Sequence, residues 1–111
     1  MKVLVTGSRY YSDYSIMKKE LEALPKDTVL IHGGCVGADA LADLIGRQLG
    51  FKIMVFNADW AKNGKAAGPI RNSEMLKEKP DLVLAFPLEG SKGTWDTVSK
   101  ARGLGIEVKV I

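Results

Sequence analysis

Three glycine-bearing turns carry the residue types that bind anions: Gly7-Ser8-Arg9, His32-Gly33-Gly34 with Gly37-Ala38-Asp39, and Glu89-Gly90-Ser91-Lys92-Gly93-Thr94. Glycine has no side chain to hold a ligand off the backbone. The unpaired N–H groups at a helix start, with a dipole worth roughly half an elementary charge, favour a phosphate. The second and third turns each precede a helical pattern, so each reads as an anion cradle. Lys92 and the hydroxyls of Ser91 and Thr94 strengthen the third. In the first turn, Ser8 offers a hydroxyl, and Arg9 a guanidinium that grips a phosphate or stacks on a base. Its alternative is a pairing with a surface carboxylate.

Asp39 falls in the first turn of a helix. There it stabilises the dipole, fixes the glycine turn or, in the sharper reading, meets a ribose hydroxyl. His32 is the only histidine; it either hydrogen-bonds neighbouring backbone or acts as a base. A fourth stretch joins Asp59-Trp60 to Gly68-Pro69-Ile70-Arg71-Asn72. Arg71 and Asn72 project from the first turn of a proline-started helix, where a phosphate, a base edge or a glycosidic oxygen could lie. The competing reading makes Trp60 a lid on the core, with Arg71 as its cation partner.

The elements that must position these residues follow from periodicity. Contiguous apolar runs predict strands over 2–6, 29–31, 52–56, 81–86 and 106–111. Helical spacing places Met17, Leu21 and Leu24 on one buried stripe, capped by Ser12, Asp13 or Ser15 and stopped by Pro25. A second helix runs from Gly37 to Gly50, a third over 69–78, and a fourth opens at Gly93 or Thr94 with Val98 and Ala101 facing inward. The stretch from Asn57 to Gly68 lacks periodicity and reads as loop. Alternating strands and helices predict one α/β domain over residues 1–111, a Rossmann-like three-layer sandwich with a five-stranded, mainly parallel sheet in the order 3-2-1-4-5. The turns after strands one, two and four then share one rim, where such sheets bind ligands.

Several chemistries drop out. The chain has no G-x-x-x-x-G-K-[ST], no G-x-G-x-x-G at Gly7 and no G-x-S-x-G. Its one cysteine, Cys35, rules out an internal disulfide, and no metal-ligand spacing is present. No metal and no cofactor are expected. The N-terminal apolar run is too short for a signal peptide or a membrane span. A soluble, cytoplasmic protein without a membrane partner is therefore expected. A net charge of +3 favours anionic partners mildly; without a lysine-arginine block it weighs against nucleic acid.

Together, G-S-R at 7–9, H-G-G-x-x-G-A-D at 32–39, A-D-W at 58–60, A-G-P-I-R-N at 67–72, D-L-V-L-A-F at 81–86 and S-K-G-T at 91–94 resemble the small YspA (cpYpsA-related) family of the SLOG superfamily. The blocks occur in the family's order across nearly the whole chain. The resemblance implies a Rossmann-like sheet whose rim binds a nucleotide or ADP-ribose-like molecule, serving as sensor, carrier or sequestering protein. It also implies an alternative, because the superfamily includes phosphoribohydrolases that cleave an N-glycosidic bond. Gly90 to Thr94 corresponds to their phosphate turn. Their supporting glutamate, three residues after the threonine, is Thr97 here, and Asp96 lies about 100° around the helix. Arg71, Asp59 and Asp96 are the catalytic candidates on that reading, with Asp39 a further carboxylate. DNA-processing relatives supply a third reading, single-stranded nucleic-acid binding. Related folds also pair through helices, which makes a homodimer the arrangement expected by analogy.

Overall fold

The computed structural model describes all residues from Met1 to Ile111. Strand β1 (Lys2–Gly7) lies at the centre of a sheet ordered β3-β2-β1-β4-β5. Its neighbours are β2 (Val29–His32) and β4 (Leu82–Phe86), with β3 (Lys52–Val55) and β5 (Glu107–Val110) at the edges. All four pairings are parallel, so the expected order holds and the sheet contains no antiparallel strand.

Alternate residues of the central strands feed two cores, as a strand covered on both faces requires. Val3, Val5, Leu30, Leu84 and Phe86 pack against Met17 and Leu21 of α1 (Tyr14–Glu22) and Ala42 and Ile45 of α2 (Ala38–Gln48). Leu4, Ile31 and Val83 point the other way, against Met75 and Leu76 of α4 (Ala67–Lys77) and Ala101 of α5 (Lys92–Gly103). Each fully buried aliphatic side chain contributes about 1.5–3 kcal/mol. Of the three candidate caps for α1, Asp13 serves: its Oδ1 accepts the Ile16 N–H at 3.1 Å.

The segment 57–68 differs from the loop expected there. It forms the one-turn helix α3 (Trp60–Asn63), a 3-10 turn (Gly64–Ala66) and the start of α4. Asp59 Oδ1 accepts the Lys62 N–H at 3.0 Å and so nucleates α3. None of α3's residues is buried, which is why no hydrophobic period marks it. Pro69 stands third in α4, where a missing N–H costs nothing because first-turn donors have no intrahelical acceptor.

The chain leaves β1 toward the α1/α2 face and leaves β4 toward the α4/α5 face. The two loops diverge where the strand order reverses, and that divergence opens a crevice at the carboxyl ends of the strands. The Ser8 N–H donates to Phe86 O at 3.0 Å and pins the loops at its base. No helix is long and apolar enough to cross a membrane.

Candidate functional site

The crevice is a cavity of about 710 Å³, within the range of small-molecule sites. The β1–α1 loop, the β2–α2 turn, Trp60, the first half of α4 and the β4–α5 turn all line it. Thirteen of the sequence-proposed ligand residues share this wall: Gly7, Ser8, Arg9, Gly34, Asp39, Trp60, Arg71, Asn72, Gly90, Ser91, Lys92, Gly93 and Thr94. A second groove of about 770 Å³ lies between the C-terminal ends of α4 and α5. Its helix ends present carbonyls, the wrong polarity for an anion, while Lys77, Lys79 and Lys100 also line it.

The β4–α5 turn has the opposite polarity and presents N–H groups. Ser91 precedes α5 but does not cap it, because its hydroxyl turns back to Leu88, accepting that N–H at 2.9 Å and donating to that carbonyl at 2.7 Å. The N–H groups of Gly93 and Thr94 are left without a protein acceptor at the start of a twelve-residue helix. A Cβ at Gly90 or Gly93 would meet nothing within 4 Å, so this backbone is open to close approach. Thr94 is 3% exposed, and its Oγ1 has no hydrogen-bond partner. Lys92 adds a cation to the same wall.

The β2–α2 turn, expected to be a second cradle of the same kind, is filled from within. Asp39 Oδ2 accepts the N–H of Gly33 at 3.1 Å and of Cys35 at 3.3 Å. His32 Nδ1 accepts the Gly34 N–H at 3.0 Å, and Ser8 O accepts that of Ala38 at 3.0 Å. Its glycines make room for protein groups. A Cβ at Gly33 would lie 2.5 Å from Arg71 Nη1, one at Gly34 would strike the Asn57 side chain, and one at Gly37 the Ser8–Arg9 backbone. Gly34 and Gly37 also hold φ of +70° and +78°, which favours glycine at both.

Of the readings open for Asp39, the one in which it fixes the glycine turn is met through Oδ2 alone. Burial raises its carboxyl above the usual range, against the Cys35 N–H, His32, Arg71 and the Gly33 N–H, which pull it down. His32 bonds backbone through Nδ1 and meets Asp43 through Nε2 at 2.7 Å. Asp43 in turn accepts from Arg47 Nε at 2.6 Å, and that bond chiefly holds its carboxyl below the usual range.

Five other proposed residues do not reach the cavity wall. His32, Gly33, Gly37 and Ala38 stand behind it in the β2–α2 turn, and Asp59 is spent on capping α3. Asp96, a catalytic candidate, is also off the wall; it accepts Asn72 Nδ2 at 3.0 Å and pairs with Lys100 at 3.0 Å. Thr97 is fully buried and donates to Gly93 O at 3.3 Å. Arg71 is held by Gly33 O at 2.7 Å and Asn72 Oδ1 at 2.9 Å. Trp60 is no core lid: it is 59% exposed at the rim, and the one cation–π pair is Lys18 over Tyr14. Tyr10, Val36 and Met75 line the cavity without having been singled out, and Glu89, named only as the first residue of the third turn, lines it too. Tyr10 stood beside a motif residue and was legible by adjacency alone.

The model of the YspA, cpYpsA-related SLOG family matches residues 1–63, more than half of the chain. The chain belongs to this family. The matched part of this SLOG member contains the first two turns and Trp60, and the β4–α5 turn follows it. The Gene 61 protein of Mycobacterium phage D29 is 40% identical over 116 residues, which covers 96% of this chain and 93% of that protein. Among solved structures, the SLOG chain is similar to DNA processing protein A (DprA) from Streptococcus pneumoniae, with a TM-score of 0.82 and 21% identity. That likeness, one of fold, takes in 98% of this chain and 49% of DprA, so the chain spans about half of DprA's length.

Proposed function

We propose that residues 1–111 form one nucleotide-binding domain that takes a nucleotide or nucleotide-derived ligand in the rim cavity. The observation that carries this reading is the start of α5, where two acceptorless N–H groups, open glycines and Lys92 face a cavity that also holds Arg9 and Arg71. A phosphate fits that turn. Across the cavity, the exposed rings of Tyr10 and Trp60 supply stacking faces for a base. Family membership supports the same reading. Such a domain senses, carries or sequesters its ligand.

The phosphoribohydrolase alternative has less support. Two of its three candidate residues, Asp59 and Asp96, are engaged away from the wall, and Thr97 stands where the related enzymes have a glutamate. DprA's fold likeness alone supports the single-stranded nucleic-acid reading. The test is thermal unfolding with AMP, NAD, ADP-ribose and cyclic nucleotides. Ligand at a hundred times its dissociation constant stabilises the fold by about 2.7 kcal/mol. No shift with any of the four overturns the proposal, and release of free base from AMP or NAD favours the hydrolase instead.

A further inference from the structure

We infer that the cavity selects ribonucleotides over 2′-deoxyribonucleotides, with the Asp39 carboxylate accepting a hydrogen bond from a sugar hydroxyl. The inference rests on the nucleotide reading and adds to it the identity of the sugar. Asp39 is 8% exposed and lines the cavity. Both of its backbone hydrogen bonds go to one oxygen, Oδ2. No protein group donates to Oδ1. The only sealed side-chain polar atoms without a partner are Tyr11 Oη and Thr94 Oγ1, so Asp39 Oδ1 is reached from the cavity.

A carboxylate with one oxygen locked and the other presented to a ligand recognises a donor and repels a phosphate. The phosphate is therefore confined to the β4–α5 turn. The base belongs at the rim, where Tyr10 is 77% and Trp60 59% exposed. The sugar then lies between rim and anion turn, and Asp39 is the buried carboxylate on the cavity wall. A site that hydrogen-bonds a hydroxyl rejects the analogue lacking it, because its own buried polar group is then left unpaired.

The experiment is calorimetric titration of the whole chain with 5′-AMP, 2′-deoxy-5′-AMP and 3′-deoxy-5′-AMP. Loss of the 2′-hydroxyl is expected to weaken binding about tenfold or more. Asp39→Asn keeps an acceptor for the turn but replaces the charged acceptor by a neutral amide, whose hydrogen bond to a hydroxyl is weaker, so the ribo-to-deoxyribo ratio should shrink. Gly93→Ala should weaken AMP and its 2′-deoxy analogue equally and leave their ratio intact. If Asp39→Asn unfolds, the wild-type ratio together with Gly93→Ala still decides. Equal wild-type affinity for AMP and 2′-deoxy-AMP overturns the inference and leaves the nucleotide reading standing. If none of the three binds, the inference is overturned, and the nucleotide reading falls only if NAD, ADP-ribose and the cyclic nucleotides fail as well.

Discussion

The guanidinium of Arg71 fills the space that a side chain at Gly33 would need, and its Nη1 donates to the Gly33 carbonyl at 2.7 Å. This contact ties α4 to the β2–α2 turn across 38 residues of sequence. Gly33→Ala pushes the guanidinium aside and breaks the bond, at a cost of about 1–3 kcal/mol. Arg71→Ala should cost a similar amount. Because both remove the same contact, the double variant should lose less than the two losses combined. Urea unfolding of the three variants measures this, and strict additivity would contradict it.

Gly93→Ala is expected to behave in the opposite way. A Cβ there meets nothing within 4 Å, and the position lies in the first turn of α5. Alanine is the better helix former by about 1 kcal/mol, so the melting temperature should hold or rise. Binding of AMP should fall, since the new methyl stands where the phosphate approaches. A lowered melting temperature would show that the turn is not open.

Thr94→Val removes a buried hydroxyl that has no partner. The fold should gain up to about 1 kcal/mol, and AMP affinity should hold because the hydroxyl is closed off from the cavity. Tyr11→Phe is the parallel case. It deletes the other orphan hydroxyl, on a ring packed 5.2 Å from Phe86 and away from the cavity wall. It should stabilise the fold without changing affinity. Chemical denaturation paired with titration checks both, and a loss of affinity in either would contradict it.

Asp39 and Asp43 respond to pH with opposite sign. The folded-state carboxyl of Asp39 sits above its unfolded value of about 3.9. Its favourable contribution is therefore present below that value and is lost as pH rises through the raised one. Wild-type stability relative to Asp39→Asn should fall from pH 4 to pH 7. Asp43 is held low, so its contribution is present above about 3.9 and disappears as pH falls through the depressed value. Asp43→Ala should cost about 1–2 kcal/mol at pH 7, by orphaning the His32 Nε2–H, and progressively less in acid. Unfolding curves at stepped pH measure both trends.

The parallel sheet was legible because Val3-Leu4-Val5, Leu30-Ile31 and Leu82-Val83-Leu84 are apolar on both faces, whereas crossover rules only narrow the strand orders to a few, among which they do not single out 3-2-1-4-5. α3 was not, since an exposed one-turn helix held by the Asp59 cap has no buried period to read. The three turns were visible as glycine clusters, but glycine looks the same whether it admits a ligand or another part of the chain. Gly93 and Gly33 differ only in three dimensions: one faces open space, the other the guanidinium of a residue 38 positions away. Nor does the sequence say that the helix-start carboxylate of Asp39 is folded back onto the amides of Gly33 and Cys35.

That folded-back carboxylate also lowers the net charge of the rim. Arg9, Arg71 and Lys92 face the cavity together with Asp39 and Glu89, which leaves a single positive charge in excess when all are ionised. A guest with one phosphoryl group brings the pocket close to neutrality, whereas each further phosphoryl must be accommodated without a counter-charge. On the proposed nucleotide reading this charge balance favours one phosphoryl group over three, and ATP should compete for the cavity no better than AMP.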